Sequence, residues 1–413
     1  MVKRVLMIAF HYPPVHGSSG VQRTLTFSRY LPQHGWQPII LSAHPRAYQA
    51  VSDGQLRDIP ESAVIKRAFA LDTARHLAWG GAYPGFLAVP DRWVSWWLGA
   101  VPAGLALIRR YRPHAIWSTF PIASAHLIGL TLQRLSGLPW IADFRDSMSD
   151  AGYPADPLRH RVFRWIERRT IARCRHAVFT TPGAARMYAE RYPEAPAARW
   201  VKIENGYDED NFRALERGAP AGPRAQGKIV LLHSGLLYPS ERDPRAFFAA
   251  LEQLNRTGEI SETGLKIVLR ASGNEDYFRE LVRAHGLQGI VFLEPAISYR
   301  EALAEMMNAD GLLIFQASNC NHQIPAKLYE YLRTRRPIFA LTDTVGDTAQ
   351  LLANAGIDTL SPLDSKAGIM QGLRDFLERL RHGRAPLASD AIIASYTRES
   401  RTKELAKLLD PLA

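Results

Sequence analysis

The chain has 413 residues, of which 46% are hydrophobic and 22% are charged. This ordinary globular composition excludes disordered, collagen-like and disulfide-scaffold proteins, and at about 100–200 residues per domain the length predicts two or three domains. The two cysteines, Cys174 and Cys320, form no CxxC pair, so neither a zinc site nor a disulfide framework is expected, and a reducing compartment fits.

The net charge of +11 is unevenly distributed along the chain. Residues 1–200 contain 25 Lys and Arg against 12 Asp and Glu, a net +13, whereas residues 201–413 contain 26 against 28, a net −2. This asymmetry favours two domains with different partners. The basic half suits nucleic acid, anionic lipid or a phosphorylated substrate.

The sequence lacks a convincing targeting or membrane-spanning segment. The apolar run at the N-terminus is too short for a signal peptide. The most apolar later stretch, residues 93–108, is interrupted by Pro102 and falls short of the roughly 20 residues that a spanning helix needs. We therefore expect a soluble, cytoplasmic protein, and leave open a peripheral position on the inner face of the cytoplasmic membrane.

Strand and helix signals alternate in chain order through the first half. An apolar run at residues 5–10 predicts a buried strand, and a Gly-containing loop and an amphipathic helix at residues 21–34 follow it. Further strands are predicted at residues 36–42, 114–118, 139–143 and 177–180. Strands separated by helices imply right-handed βαβ units and a parallel sheet.

The second half repeats this plan after residues 219–227, which are rich in Pro, Gly and Ala and typical of an exposed linker. A helix is predicted at residues 244–254, and strands are predicted at residues 228–233, 265–270, 290–293, 311–315 and 337–341. The sequence thus predicts an α/β protein of two doubly wound, Rossmann-like domains facing each other across a cleft, with ligands at the carboxyl ends of the strands. We place the domains at residues 1–215 and 216–395, with a C-terminal helix near 395–413 as a candidate to pack back on the first.

Residues 324–341, IPAKLYEYLRTRRPIFAL, carry the clearest chemical signal. Pro325 starts a helix, and the i,i+3 spacing of Lys327 and Glu330 places both side chains on one face. A helix N-terminus with a lysine in its first turn attracts phosphate, and a carboxylate suits the two hydroxyls of a ribose. An ordinary surface ion pair explains the spacing equally well.

Several motifs, in this order, resemble those of the family-four glycosyltransferases, which have the GT-B fold and use nucleotide sugars. Residues 324–341 resemble the helix that holds the donor in that family. The other similar segments are HYPP with the Gly17–Gly20 loop at residues 11–20, IADFRD at 141–146, NGYD at 205–208 and HSGLLY at 233–238. The resemblance extends over nearly the whole chain and implies a retaining enzyme.

The resemblance also implies roles for individual residues. It assigns donor binding to Gly17, Gly20, Gly235, Arg242, His322, Lys327 and Glu330, and acceptor binding to Asp143, Arg145 and Asp146. The chain departs from the family where His322 replaces a frequent glutamate, Leu236 an arginine and Arg145 a histidine.

Elementary chemistry supports a catalytic role for four of these residues. Breaking a sugar–phosphate bond makes the diphosphate leaving group more negative, and fixed cations such as Arg242 and Lys327 lower that barrier. Asp146, beside Arg145 just after a strand, is placed to orient the acceptor hydroxyl or to take its proton. A structural ion-pair network of Asp143, Arg145 and Asp146 is the alternative. The nucleotide-diphosphate sugar is a co-substrate, and neither a metal nor another cofactor is expected.

Residues 158–176 carry seven arginines against Glu167 alone. Arg161, Arg164 and Arg168 fall on one side of a predicted helix, with Trp165 among the residues expected to make apolar contacts. A solvated helix face and a docking face for anionic lipid headgroups are the two main explanations. Nucleic acid is disfavoured because no aromatic platform accompanies the arginines.

The leading hypothesis is a retaining, metal-independent glycosyltransferase of the hexosyltransferase type. It would transfer a sugar from a nucleotide-diphosphate donor to a glycan or lipid-linked acceptor in bacterial surface polysaccharide or glycolipid assembly. Two alternatives stay open: a GT-B-fold nucleotide-sugar epimerase, and a non-catalytic sugar-nucleotide-binding protein, the latter because of His322 and Leu236.

Overall fold

The computed structural model describes residues 2–15, 20–218 and 227–413. It divides into two compact units, the first formed by Met1–Asn205 and Arg398–Ala413 and the second by Gly206–Thr397. Gly17, a predicted donor residue, and residues 219–226 of the predicted linker lie outside the described residues.

In the described part of the first unit, seven parallel strands form one sheet in the order β3-β2-β1-β4-β5-β6-β7. The strands are β1 (Lys3–Ile8), β2 (Trp36–Ala43), β3 (Val64–Ala68), β4 (Ala115–Thr119), β5 (Trp140–Arg145), β6 (His176–Phe179) and β7 (Trp200–Lys202). The helices are α1 (Gly20–Tyr30), α2 (Thr73–His76), α3 (Trp96–Tyr111), α4 (Ala123–Ser136), α5 (Pro157–Arg173) and α6 (Pro182–Arg191). The side chains of Val5, Leu6, Met7 and Ile8 are all inaccessible to solvent, as expected for a parallel strand between two helical layers.

The second unit contains a six-stranded parallel sheet in the order β10-β9-β8-β11-β12-β13, counted over its described residues. Its strands are β8 (Ile229–Ser234), β9 (Leu265–Arg270), β10 (Val291–Glu294), β11 (Gly311–Phe315), β12 (Ile338–Leu341) and β13 (Leu360–Ser361). Its helices are α7 (Glu209–Gly218), α8 (Arg245–Arg256), α9 (Glu275–Ala284), α10 (Tyr299–Asn308), α11 (Lys327–Thr334), α12 (Asp347–Asn354), α13 (Lys366–Arg381) and α14 (Asp390–Ser395). Two parallel, Rossmann-like α/β units confirm the predicted fold class.

The first unit ends earlier than residue 215. Helix α7 belongs to the second unit, because Arg333 of α11 forms ion pairs with Glu209 and Glu216 at 2.7 and 3.0 Å. Phe212, between them on the same helix, is fully buried in the second unit's core. The change of unit therefore comes at Asn205–Gly206.

The last helix, α15 (Arg398–Leu409), belongs to the first unit. It packs on α1, and Leu405 and Leu409 join the core of that unit. Arg401 pairs with Glu204 at 2.7 Å, and Asp410, just after the helix, accepts a hydrogen bond of 3.0 Å from the indole nitrogen of Trp36. The first domain is thus assembled from both ends of the chain.

The arginine-rich helix α5 begins after Asp156, whose side chain caps it by accepting from the backbone N–H of Arg159 at 2.7 Å. Its arginines at 161, 164 and 168 are exposed as predicted. Trp165 does not pack inward as expected, since it is 45% exposed. Across the residues described, none of the helices combines the length and hydropathy that crossing a bilayer requires.

Candidate active site

A glycine loop at the carboxyl end of β8 forms the first part of the candidate site in the second unit. Gly235 follows the strand with φ of 110°, a conformation that favours glycine. A β-carbon at this position would lie 2.9 Å from Nζ of Lys327. The backbone turn therefore favours glycine, and the missing β-carbon leaves room for this ammonium group.

Lys327 is the first residue of α11, and a histidine holds its side chain in place. Nζ lies 3.1 Å from Nε2 of His233. The other ring nitrogen, Nδ1, lies 2.9 Å from the carbonyl oxygen of Leu313, so Nδ1 is the protonated nitrogen that donates to it. Nε2 then accepts a hydrogen bond from Lys327 and fixes the ammonium above the glycine loop.

The electrostatics of this cluster are dominated by two neighbouring cations, Lys327 and Arg242. Burial and the charge of Arg242 lower the pKa of Lys327 to about 7. Burial and the charge of Lys327 hold the pKa of His233 well below its usual value. A bound anion would relieve the repulsion between the two cations and favour the charged form of Lys327.

Arg242 lies in the β8–α8 connection, where the loop itself positions its side chain. Its Nη1 donates to the carbonyl oxygen of Leu236 at 2.9 Å, and the guanidinium lies 5.5 Å from the ring centroid of Tyr238. Leu236, which stands where the resemblance predicts an arginine, thus contributes a backbone carbonyl that orients Arg242. The structure brings Gly235, Arg242 and Lys327 together at the carboxyl end of β8.

Glu330 lies one turn beyond Lys327 on α11. Its Oε1 accepts a hydrogen bond of 2.7 Å from the hydroxyl of Tyr299, the first residue of α10. Tyr331, the next residue, receives a hydrogen bond of 3.0 Å from the backbone N–H of Ser234, which joins α11 to the end of β8. The carboxylate therefore lies near the same edge of the sheet as the two cations.

His322 lies partly buried in the connection between β11 and α11. The residues on either side are anchored: Asn321 Nδ2 donates to Asp343 at 2.7 Å, and the carbonyl oxygen of Gln323 accepts from Gln316 Nε2 at 2.9 Å. The position of His322 is therefore set by an ordered loop that leads into α11.

In the first unit, the ends of β1 and β5 meet the start of α1. A β-carbon on Gly20 would lie 2.7 Å from Nδ1 of His11 and 3.2 Å from Nη1 of Arg145. Burial and the charge of Arg145 lower the pKa of His11 to about 4, which makes this imidazole neutral at ordinary pH. Glycine at position 20 is what allows these two side chains to approach the helix.

Asp143 and Asp146 occupy very different environments, although both belong to the predicted acceptor motif. Asp143 is fully buried and forms a bidentate ion pair with Arg23, at 2.8 and 2.9 Å, while Thr119 donates to it at 2.9 Å. Asp146 is exposed, and its Oδ1 lies 3.4 Å from the hydroxyl of Thr180. Asp143 therefore belongs to a structural ion-pair network, whereas the carboxylate of Asp146 is accessible to solvent.

Arg145 connects the two aspartates through an unusual backbone. Its φ of 64° lies in the left-handed region, and its carbonyl oxygen accepts from both the N–H and the hydroxyl of Thr180, each at 2.9 Å. The guanidinium reaches toward the carbonyl oxygen of Phe120 at 3.5 Å. This turn directs Arg145 toward Gly20 and leaves Asp146 at the surface.

The N-terminal half of the chain is similar in sequence to a known protein family. Residues 19–211 match the family model described as Glycosyltransferase Family 4. This part of the chain is therefore similar to the Glycosyltransferase Family 4 sequences. No curated protein sequence matches the chain significantly.

Solved structures similar to the whole chain have the GT-B fold. Sucrose-phosphate synthase from Thermosynechococcus elongatus matches with a TM-score of 0.69 and 14% identity over 99% of both chains. HepE from Anabaena, in complex with UDP-glucose, matches with a TM-score of 0.63 and 13% identity over 99% of both chains. A putative UDP-N-acetylglucosamine 2-epimerase from Listeria monocytogenes matches with a TM-score of 0.59 and 11% identity, over 99% of this chain and 96% of that one.

In both units, sequence reasoning missed residues that support the predicted ones. His233 holds Lys327, Tyr299 contacts Glu330, and Arg23 neutralises Asp143. His233 is the first residue of the HSGLLY motif, so its position two residues before Gly235 is a usable signal. The other two pairs join distant parts of the chain and leave no local pattern. In the described residues no group of three or more His, Cys, Asp or Glu side chains is arranged to hold a metal ion.

Proposed function

We propose that this GT-B protein is a retaining glycosyltransferase of the hexosyltransferase type, which binds a nucleotide-diphosphate sugar in the second unit and an acceptor in the first. The observation that carries the donor assignment is the pair of cations, Arg242 and Lys327, at a glycine loop beside the carboxylate of Glu330. Cations meet a diphosphate, and the carboxylate meets the ribose hydroxyls. The complex of HepE with UDP-glucose supports the class of donor.

In the proposed reaction, the bond between the sugar and the diphosphate breaks, and both electrons go to the diphosphate oxygen. Arg242 and Lys327 stabilise that added charge, which is their catalytic contribution. The acceptor oxygen forms the new bond to the sugar on the face that the diphosphate leaves, as retention requires. Asp146 orients the acceptor hydroxyl and takes its proton, with Arg145 alongside. No metal is needed in this scheme, because the protein supplies the cations.

We place the acceptor among glycans and lipid-linked sugars of bacterial surface polysaccharide or glycolipid assembly. The support is the excess of basic residues in the first 200 residues and the exposed arginines of α5. Such an acceptor would bring the enzyme to the inner face of the cytoplasmic membrane as a peripheral protein.

Thermal unfolding in the presence of a panel of UDP-, GDP-, ADP- and dTDP-sugars tests the donor assignment. A ligand at about 100 times its dissociation constant adds about 2.7 kcal/mol of stability. The variant R242M/K327M should lose that stabilisation, whereas R256M, which removes one exposed charge from α8 of the same unit, should retain it. Equal stabilisation of all three proteins would reject the site.

An epimerase acting on the donor itself is a second candidate, because the Listeria epimerase shares the fold. Incubation with the stabilising nucleotide sugar and no acceptor separates the two. An epimerase converts the sugar to its epimer, whereas a transferase leaves it intact apart from slow hydrolysis. A non-catalytic binding protein would bind the sugar nucleotide and produce neither product.

A further inference from the structure

The first unit exposes a long uncharged segment that the proposed reaction does not use. Residues 77–90 read LAWGGAYPGFLAVP and contain no charged side chain. Residues 79–86 are all exposed to solvent. Trp79 is 93% exposed and Phe86 is 70% exposed. Large aromatic side chains in this state lose their hydrophobic stabilisation unless another surface covers them.

This segment has a defined shape. Trp79 and Ala82 exchange backbone hydrogen bonds of 2.8 and 3.1 Å across Gly80 and Gly81, which both have positive φ. A turn with two central glycines reverses the chain tightly. Further along, the carbonyl oxygen of Leu87 accepts from the hydroxyl of Thr73 at 2.9 Å. The fold therefore builds the exposed tryptophan into an ordered turn.

A basic cavity lies along helix α5, whose first turn contacts the end of this segment. Arg159 of α5 donates to the carbonyl oxygen of Pro90 at 3.3 Å, which joins the apolar segment to the start of the arginine-rich helix. The cavity has a volume of about 660 Å³, and its lining includes His160, Trp165 and three arginines, Arg161, Arg164 and Arg168.

The carboxylate of this helix does not offset the arginine charges at the surface. Glu167 is fully buried and points away from the cavity side chains, since it accepts hydrogen bonds from Tyr188 at 2.7 Å and Tyr192 at 2.6 Å. Arg191 pairs with it at 3.0 Å. The exposed side of α5 thus presents arginine side chains and Trp165 to its surroundings.

We propose that residues 77–90 and the α5 cavity form one docking surface for a bilayer of anionic phospholipid. Trp79, Tyr83 and Phe86 enter the interfacial region, where amphipathic aromatic rings are favoured. The arginines of the cavity contact lipid phosphates and supply the charge complementarity. The inference deepens the lipid-linked acceptor of the proposed function and rests on it for its purpose, but docking itself requires no transfer.

Co-sedimentation of the full-length protein with vesicles tests this surface in the absence of any sugar nucleotide. Vesicles of phosphatidylcholine with phosphatidylglycerol should bind the protein, and phosphatidylcholine alone should bind it at least tenfold more weakly. The variant R161Q/R164Q/R168Q should lose about fivefold in affinity per arginine and most of the salt dependence. The variant W79A/F86A should weaken binding at low and high salt alike.

Matched variants control for general changes in charge and apolar surface. R109Q/R110Q/R134Q removes three exposed arginines near the C-terminal ends of α3 and α4, at the other edge of the sheet. L135A removes a 61% exposed leucine from α4. Both controls should bind vesicles as the wild type does. All four variants alter exposed side chains, so circular dichroism should show an intact fold.

Quenching by brominated lipid locates the inserted residue. Tryptophan fluorescence of the wild type should fall on vesicles that contain brominated acyl chains, and W79F should keep vesicle binding while losing most of that quenching.

Binding that does not depend on anionic lipid, or that survives in both surface variants, would overturn the proposal. So would self-association of the protein that W79A/F86A abolishes in the absence of vesicles, because a second copy would then cover the patch. Thermal stabilisation by nucleotide sugars should be unchanged in these variants, so a failure of docking and a failure of the donor site are distinguishable.

Discussion

At the scale of single residues, Lys327 is the side chain on which the donor site depends. Its ammonium group lies between His233 and the glycine loop, where Arg242 adds a second positive charge. Repulsion between the two cations, together with burial, lowers the pKa of Lys327. A diphosphate relieves that repulsion, so binding and protonation are linked.

The first prediction is a pH dependence of donor binding. With a pKa of about 7 in the unoccupied protein, Lys327 is charged below pH 7 and increasingly neutral above it. A bound diphosphate raises this pKa, so affinity for UDP-glucose should be constant below pH 7 and fall by up to about tenfold per pH unit above it. Calorimetric titration at pH 8 in buffers of different ionisation enthalpy should show proton uptake. K327M should bind more weakly and show neither effect; uptake that persists in K327M would assign the proton to another group.

The second prediction concerns Glu330. Replacing it by glutamine keeps the size of the side chain but removes the negative charge that strengthens its hydrogen bonds from the ribose hydroxyls. A hydrogen bond to a charged group contributes about 1.5–3 kcal/mol. E330Q should therefore weaken UDP binding by about ten- to a hundredfold in a calorimetric titration. Y299F, which removes the hydroxyl that contacts Oε1, is the matched variant and should have a smaller effect. Wild-type affinity in E330Q would place the ribose elsewhere.

At the scale of elements, the carboxyl end of β5 separates a structural carboxylate from an accessible one within four residues. Asp143 faces into the unit and pairs with Arg23 of α1, whose guanidinium also donates to the carbonyl oxygens of Ile203 and Glu204. The left-handed turn at Arg145 then reverses the exposure, so Asp146 lies at the surface. One motif thus both ties the sheet to α1 and presents a carboxylate.

The third prediction follows from that division. D143N leaves Arg23 as an uncompensated buried charge and should lower the free energy of unfolding by about 3–5 kcal/mol. D146N alters an exposed side chain and should change stability by less than about 0.5 kcal/mol while lowering turnover. Urea unfolding measures the stability of both variants, and a sugar-transfer assay measures the turnover of D146N. Equal stability losses would show that Asp146 is also structural, and wild-type turnover in D146N would remove it from the proposed mechanism.

At the scale of the whole molecule, the sequence predicted the features that a local residue pattern determines. Continuous apolar runs predicted buried parallel strands, and the motifs placed Gly235, Arg242 and Lys327 at the same strand ends. Short strands such as β3, β7 and β13 were missed because a few half-buried residues leave no distinct period. Pairs such as Arg23 with Asp143 escaped prediction because the contacts join elements far apart in the chain. The exposure of Trp79 could not be predicted from the sequence either, because an uncharged apolar segment is normally expected in the core.

The return of α15 to the first unit carries the last prediction, because it makes the C-terminus part of the N-terminal domain. Leu405 is 1% exposed and belongs to the first unit's core. L405A should therefore cost about 2–5 kcal/mol of stability through lost burial and a residual cavity, although this residue lies after the whole second unit in sequence. K407A, an exposed position on the same helix, controls for helix propensity. Hydrogen exchange should localise the effect: amides of α1, against which α15 packs, should lose protection in L405A, while those of β8 and β11 should keep it. Loss of protection confined to the second unit, or none in α1, would contradict the assignment of α15 to the first.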